Sequence, residues 1–139
     1  MKWSLAPVLC AALCATLPAA CTSLGDVPAA QAVLSEGTPT RLGVPVRVGA
    51  VVVTPLEVVE DSRCPINARC VWAGRVIVKA RIEGADWRET AQITAGTPHG
   101  THDAIVHLVS VQPDRVTGDA VQPGDYRFLF EDEWKEAGF

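Results

Sequence analysis

The sequence has few of the features that point to an enzyme, a nucleic-acid-binding protein or a helical domain. Methionine occurs once, at position 1, so the rest of the chain offers no thioether sulfur to Cu(I). The 12 Lys and Arg are outnumbered by 16 Asp and Glu, and the formal net charge of −4 at pH 7 gives no electrostatic footprint for nucleic acid or anionic lipid headgroups. No long stretch keeps a helical apolar period, and Gly-x-Ser-x-Gly, His-Glu-x-x-His and phosphate-cradling motifs are missing. These absences predict a non-enzymatic protein without a cofactor or a nucleic-acid partner.

Long apolar runs are also scarce, and the clearest one lies at the N-terminus. Residues Leu5 to Leu17 are uncharged, largely apolar and follow Lys2. Thirteen residues are too few to cross a bilayer as a helix, which takes about 20. A basic start, a short apolar core and small residues before a boundary are typical of a secretory signal.

The signal ends in Leu-Pro-Ala-Ala-Cys at residues 17–21, which resembles the lipobox of bacterial lipoproteins. The resemblance implies a signal peptide over residues 1–20 and an acylated Cys21 as the mature N-terminus; the alternative is plain secretion with Cys21 as a free thiol. Thr22, in place of Asp, implies forwarding to the outer membrane by analogy with other lipoproteins. We therefore expect a protein of the bacterial cell envelope, facing the periplasm, held to the membrane by its lipid anchor and with an envelope protein as candidate partner.

Signal cleavage and acylation at Cys21 would account for all five cysteines. Cys10 and Cys14 lie in the signal, and Cys21 is the lipid site. Cys64 and Cys70 remain, and in an oxidising compartment two remaining thiols are usually paired. The count predicts a Cys64–Cys70 disulfide with no cysteine left over.

After Cys21, the amino-acid composition of the chain changes near Pro39. Residues 21–38 are small, polar and punctuated by Pro and Gly, which indicates a flexible tether. Residues 39–139 contain Val-, Ile- and Thr-rich segments separated by Gly, Pro and Asp clusters, the pattern of strands and turns. The predicted fold is an all-β antiparallel sandwich of about seven strands, with a small β-barrel as the alternative. Strands are predicted near 40–42, 45–48, 50–60, 70–83, 87–94, 103–111 and 125–131.

Alternation of side chains predicts which faces are buried. One face of 70–83 is apolar and includes Trp72, which we expect in the core beside the disulfide because it lies two residues after Cys70. The aromatic residues at 126, 128 and 130 share a second buried face. Segments 50–59 and 104–111 are apolar on both sides, which is typical of central strands.

The segment Glu60 to Gly74, EDSRCPINARCVWAG, carries a second resemblance. It is similar to a motif in a family of small bacterial envelope lipoproteins whose neighbouring strands, and whose later HLVSVQP and DYRFLF segments, also look similar. The resemblance covers most of residues 40–131. It implies the same location in the cell envelope and the same fold, and it implies no activity.

Two hypotheses for a binding function remain open. In the first, the disulfide-closed loop recognises a partner through residues that include three arginines spaced every six positions, which could form one cationic patch or instead pair with Asp61, Glu60 and turn carbonyls. The candidate residues are Arg63, Ile66, Asn67, Arg69 and Arg75. The second is a periplasmic zinc or copper module that uses His99, His102 and Asp103, since HxxH followed by Asp offers imidazole and carboxylate ligands.

Overall fold

A computed structural model describes residues 31–133 of the chain. It contains seven β-strands and one 3-10 helix at Pro123–Asp125. The strands are β1 Val46–Val48, β2 Val51–Asp61, β3 Val76–Glu83, β4 Arg88–Thr94, β5 His99–Gly100, β6 Ile105–Gln112 and β7 Arg127–Asp132. The predicted signal peptide and Cys21 lie outside the described residues. Within residues 31–133, no helix has the length and apolar character that a membrane crossing requires.

The strands form two antiparallel sheets, in the orders β1-β2-β3-β4 and β5-β6-β7. Neither sheet closes on itself, so the fold is a small sandwich and not a barrel. The two segments that are apolar on both faces became β2 and β6, each with a hydrogen-bonded neighbour on both sides. The prediction of an all-β sandwich with these two central strands is therefore confirmed.

The core lies between the sheets and follows the period-two pattern of the sequence. Along β3 the side chains of Val76, Val78, Ala80 and Ile82 are all buried, and the residues between them are only partly covered. From the other layer come Phe128 and Phe130 of β7 and Tyr126, which directly precedes β7; successive ring centroids in this row are 5.8 and 6.3 Å apart. Burial of these aliphatic and aromatic side chains is the main force that holds the two layers together.

Two predicted strands differ from the structure, and one short strand was not predicted. Residues 40–42 make only one isolated bridge, between Thr40 and Phe128. The two-residue strand β5, which the sequence did not predict, pairs with β6 at Val106 and Ile105. The predicted strand over 70–83 begins only at Val76. Short pairings depend on where a distant strand lies, so local composition does not reveal them.

The prediction that Trp72 is a core residue was wrong, because its side chain is 81% exposed. The alternation argument assumed an unbroken strand from residue 70, and the chain leaves the extended conformation at Gly74, where φ is +71°. A residue in the left-handed conformation interrupts the alternation of faces along a strand. The even spacing between Trp72 and Val76 therefore does not predict that their side chains lie on the same face.

The last part of the predicted tether contacts the sandwich. Leu34 forms a parallel bridge with Val46: its N–H donates to Pro45 O at 2.9 Å, and its carbonyl accepts from Arg47 N at 2.9 Å. Leu34 also packs against the core. The folded unit therefore includes residues from Leu34 onward, ahead of the predicted start at residue 39.

Candidate functional site

The site is the loop that joins β2 to β3, residues 62–75, called here the β2–β3 loop. Its base continues the strand ladder, since Ser62 N donates to Arg75 O and Cys64 N donates to Ala73 O, both at 2.9 Å. Beyond this ladder, Cys64 and Cys70 form a disulfide with their Cα atoms 5.8 Å apart. The predicted cysteine pair is therefore present, and it closes the outer part of the loop.

An ion pair anchors the start of the loop to the second sheet. The guanidinium of Arg63 binds Asp61 through two hydrogen bonds, Nη2 to Oδ2 at 2.7 Å and Nε to Oδ1 at 2.8 Å. The same guanidinium donates to the carbonyls of Val111 at 2.8 Å and Pro113 at 3.0 Å, at the end of β6. The hydroxyl of Tyr126 donates to Asp61 Oδ2 at 2.9 Å. Arg63 uses the planar donor fork that a bidentate carboxylate contact needs.

These contacts change the pKa values of all three groups. Burial raises the pKa of Asp61, but hydrogen bonds from Arg63 and Tyr126 outweigh it and leave that pKa below its usual value. The hydrogen bond to Asp61 raises the pKa of Arg63. Burial, with the hydrogen bond to Asp61, raises the pKa of Tyr126 to about 12. All three keep one protonation state near neutral pH, which suits a structural clamp and not a proton-transfer site.

The outer loop is tied to a second segment, residues 113–118. Arg115 Nη1 donates to Arg63 O at 2.8 Å, and Ile66 N donates to Arg115 O at 2.9 Å. Thr117 N donates to the side-chain oxygen of Asn67 at 2.8 Å. Asn67, which the sequence placed among the residues displayed to a partner, thus uses its amide oxygen to hold the loop in place.

A further ion pair lies on the solvent side of the loop base. Arg75 Nη2 and Nε are each 3.0 Å from Glu60 Oε2, and Ser62 Oγ donates to Glu60 Oε1 at 2.8 Å. The hydrogen bond from Ser62, followed by that from Arg75, lowers the pKa of Glu60. The Arg75 side chain is exposed and that of Glu60 is only partly covered, so this pair contributes little to stability.

The three arginines do not form a patch of uncompensated positive charge. Arg63 is neutralised by Asp61 and Arg75 by Glu60, and Arg69 is exposed on the outer loop. Ordinary pairing with local acids and carbonyls, the alternative considered from the sequence, describes Arg63 and Arg75. The loop therefore presents little net charge.

The loop exposes three large apolar side chains to solvent. They are Ile66, Val71 and Trp72, which are 70%, 90% and 81% exposed, and we call these three residues the apolar tip. Sequence reasoning singled out Ile66, assigned Trp72 to the core and passed over Val71. The left-handed glycine at position 74 is the signal that could have separated Trp72 from the buried face of β3.

The predicted metal ligands do not face a common point. His99 Nε2 lies 3.3 Å from Glu89 Oε1, while Asp103 Oδ2 accepts a hydrogen bond from Trp87 Nε1 at 2.6 Å. The ring of His102 packs against Trp87 with centroids 5.2 Å apart. Within residues 31–133, no group of three or more His, Cys, Asp or Glu side chains is arranged to hold a metal ion.

Comparisons with known proteins do not assign this site. No protein-family model, curated protein sequence or solved structure matches the chain.

Proposed function

We propose that this chain is a non-enzymatic lipoprotein of the bacterial envelope, anchored through Cys21, that displays the apolar tip as a docking surface. The observation that carries the proposal is the exposure of Ile66, Val71 and Trp72 on a loop held by a disulfide and by ties to the second sheet. Apolar side chains this exposed gain free energy when a partner covers them.

The ties to the rest of the sandwich support a docking role because they reduce the entropy that binding costs. The outer loop is closed by Cys64–Cys70 and bonded to residues 115 and 117, so its backbone is ordered before contact. A preorganised surface loses less conformational freedom on association than a flexible one. Tryptophan is also enriched among residues that dominate binding energy.

The lipid anchor is supported by the sequence around Cys21. The short apolar signal, the small residues before the cysteine and the paired state of Cys64 and Cys70 all fit export to an oxidising compartment. An acylated N-terminus would keep the sandwich at the membrane without a basic face, in accord with the net charge of −4.

Metabolic labelling with a fatty acid tests the anchor. We expect label on the parent and on Cys14→Ser, a control that changes a cysteine inside the signal, and none on Cys21→Ser. Label that persists on Cys21→Ser, or is missing from the parent, contradicts the anchor.

Photocrosslinking in living cells tests the docking surface. A photoreactive residue at position 72 is expected to give adducts, whereas the same residue at position 109 is not, because Val109 is exposed on β6 outside the apolar tip. Equal yields at the two positions would argue against a docking role for the tip.

A further inference from the structure

We propose that the surface covered by the apolar tip is the interface of the same membrane that holds Cys21, so that Ile66, Val71 and Trp72 enter the headgroup region beside the anchor. This rests on the lipid anchor of the proposed function and specifies what the tip contacts.

The direction of the chain at Leu34 relates the N-terminal side of the sandwich to the tip. β1 is antiparallel to β2, with Val46 opposite Val53, so β1 runs away from the end of β2 at Asp61. Leu34 pairs in parallel with Val46, so the chain at Leu34 also runs away from that end. Residues 31–33 therefore enter from the direction of the end of the sandwich that carries the β2–β3 loop.

The chain before Leu34 is long enough to reach the loop end of the sandwich. Leu34 lies level with Val53, which pairs with Ile82, while Asp61 pairs with Val76, six residues away along β3, or about 20 Å at a strand rise of about 3.3 Å per residue. Thirteen residue steps separate Leu34 from Cys21, and a chain of that length reaches at most about 45 Å. An anchor at Cys21 is therefore compatible with the loop end of the sandwich lying at the bilayer surface.

The chemistry of the tip suits a lipid interface. Residues 64–73, CPINARCVWA, contain a single charged residue, Arg69, whose long side chain can keep its charge in water while the tip enters. Tryptophan is enriched at membrane interfaces because its ring is apolar and its N–H is polar. The N–H groups of Cys64, Ile66 and Ala68 already donate to backbone carbonyls, which lowers the cost of leaving water.

The size of the tip also favours a membrane over a protein partner. Three exposed apolar side chains make a small surface, whereas a stable protein–protein interface uses about 20–30 residues on each side. Next to an acyl anchor, a small apolar contact has only to orient a domain that is already at the membrane.

Tryptophan quenching by brominated lipid tests this inference. Protein purified from cell membranes is reconstituted in phosphatidylcholine vesicles with and without bromine on the acyl chains, because this headgroup has no net charge. We expect part of the parent's fluorescence to be quenched, and that quenched fraction to be lost in Trp72→Ser. Trp87→Phe should keep it, since Trp87 is bonded to Asp103 away from the tip. Val71→Ser should reduce it, and Val109→Ser should leave it unchanged.

The outcomes separate this inference from the proposed anchor. Fatty-acid label on the parent with equal quenching in parent and Trp72→Ser overturns the membrane contact and leaves the anchor in place. If the label is absent, the same quenching is measured on residues 21–139 joined at Cys21 to a maleimide lipid, where equal quenching again overturns the inference. A crosslink in cells from position 72 to one protein, with no lipid adduct, also overturns it and assigns the tip to a protein partner.

Discussion

The hydroxyl of Tyr126 lies 2.9 Å from Oδ2 of Asp61 and donates a hydrogen bond to it. Asp61 ends β2 in the four-stranded sheet, and Tyr126 directly precedes β7 in the three-stranded sheet. The same carboxylate binds Arg63, the second residue of the β2–β3 loop. The position of the loop is therefore coupled to the packing of the two sheets, which makes the network around Asp61 the first place to test the structure.

Tyr126 is expected to titrate at about pH 12. It is the single tyrosine of the chain, so tyrosinate absorbance reports it alone. The pKa is higher in the folded than in the unfolded state, so the stabilising contribution is fully present below the ordinary value of 10.0 and is lost as pH rises towards about 12. Unfolding measured by urea between these two pH values should become progressively easier.

Asp61→Asn is the control for the tyrosine titration. Removing the carboxylate charge should lower the pKa of Tyr126, but not fully to its ordinary value, because burial is the larger cause of the shift. A parent titration near 10.0, the ordinary value, would mean that Tyr126 is not buried against Asp61.

Arg63→Ala is expected to lower the free energy of unfolding by about 1–3 kcal/mol, because it leaves the partly buried carboxylate of Asp61 without its counter-charge. The two side chains are 20% and 9% exposed. Arg75→Ala is the matched control: its pair with Glu60 is far more exposed, and the expected loss of stability is much smaller. Urea denaturation measures both.

A double-mutant cycle separates the ion pair from other effects of the change. Asp61→Asn/Arg63→Ala should be less destabilised than the sum of the two single variants, since the buried charge is gone. Additive losses would show that Arg63 acts through its bonds to the Val111 and Pro113 carbonyls and not through the charge of Asp61.

The alternation of side chains was enough to predict the two layers and most of the core. Val76, Val78 and Ile82 repeat with a strict period of two, and Phe128 and Phe130 do so in the other sheet, so burial on one face leaves a readable pattern. The disulfide was predictable because, if the chain is exported and acylated at Cys21 as predicted, only Cys64 and Cys70 are left to pair.

The clamp around Arg63 was not predictable to the same depth. Its pairing with Asp61 was an open alternative because the two residues are close in sequence. The carbonyls of Val111 and Pro113 lie 48 and 50 residues away, and backbone oxygens carry no sequence signal. Trp72 was misplaced for a related reason, since only the bend at Gly74 shows that β3 has not yet begun.

Loss of the disulfide is expected to destabilise the fold by about 2.4 kcal/mol, the chain-entropy value for a closed loop of seven residues. Cys64→Ser/Cys70→Ser should show this loss in urea unfolding. Dithiothreitol should bring the parent down to the level of the variant and leave the variant unchanged. An effect of the reductant on the variant, or none on the parent, would contradict a structural disulfide.

Zinc affinity is expected to be the same in the parent and in His99→Ala/His102→Ala. His99 faces Glu89, His102 packs on Trp87 and Asp103 binds the indole N–H, so the three candidate ligands do not converge. Calorimetric titration with zinc and with copper measures this. A loss of tight binding in the double variant would restore the metal-binding hypothesis.

Gly74→Ala is expected to destabilise the protein by about 2–5 kcal/mol. This is more than a Gly→Ala change should cost at a turn glycine that has open space around it. The left-handed conformation at φ +71° costs about 1–2 kcal/mol for a residue with a Cβ, and the added methyl overlaps the backbone carbonyl of Ser62, at a further cost of about 1–3 kcal/mol. Gly43→Ala is the matched control, since φ is +79° and nothing lies within 4 Å of its added Cβ. It should be destabilised only by the backbone cost of about 1–2 kcal/mol. Equal losses in urea denaturation would mean that the loop does not approach Ser62 this closely. A larger loss at Gly74 would show that the close contact between the two sides of the loop base, which carries the apolar tip, depends on a residue without a side chain.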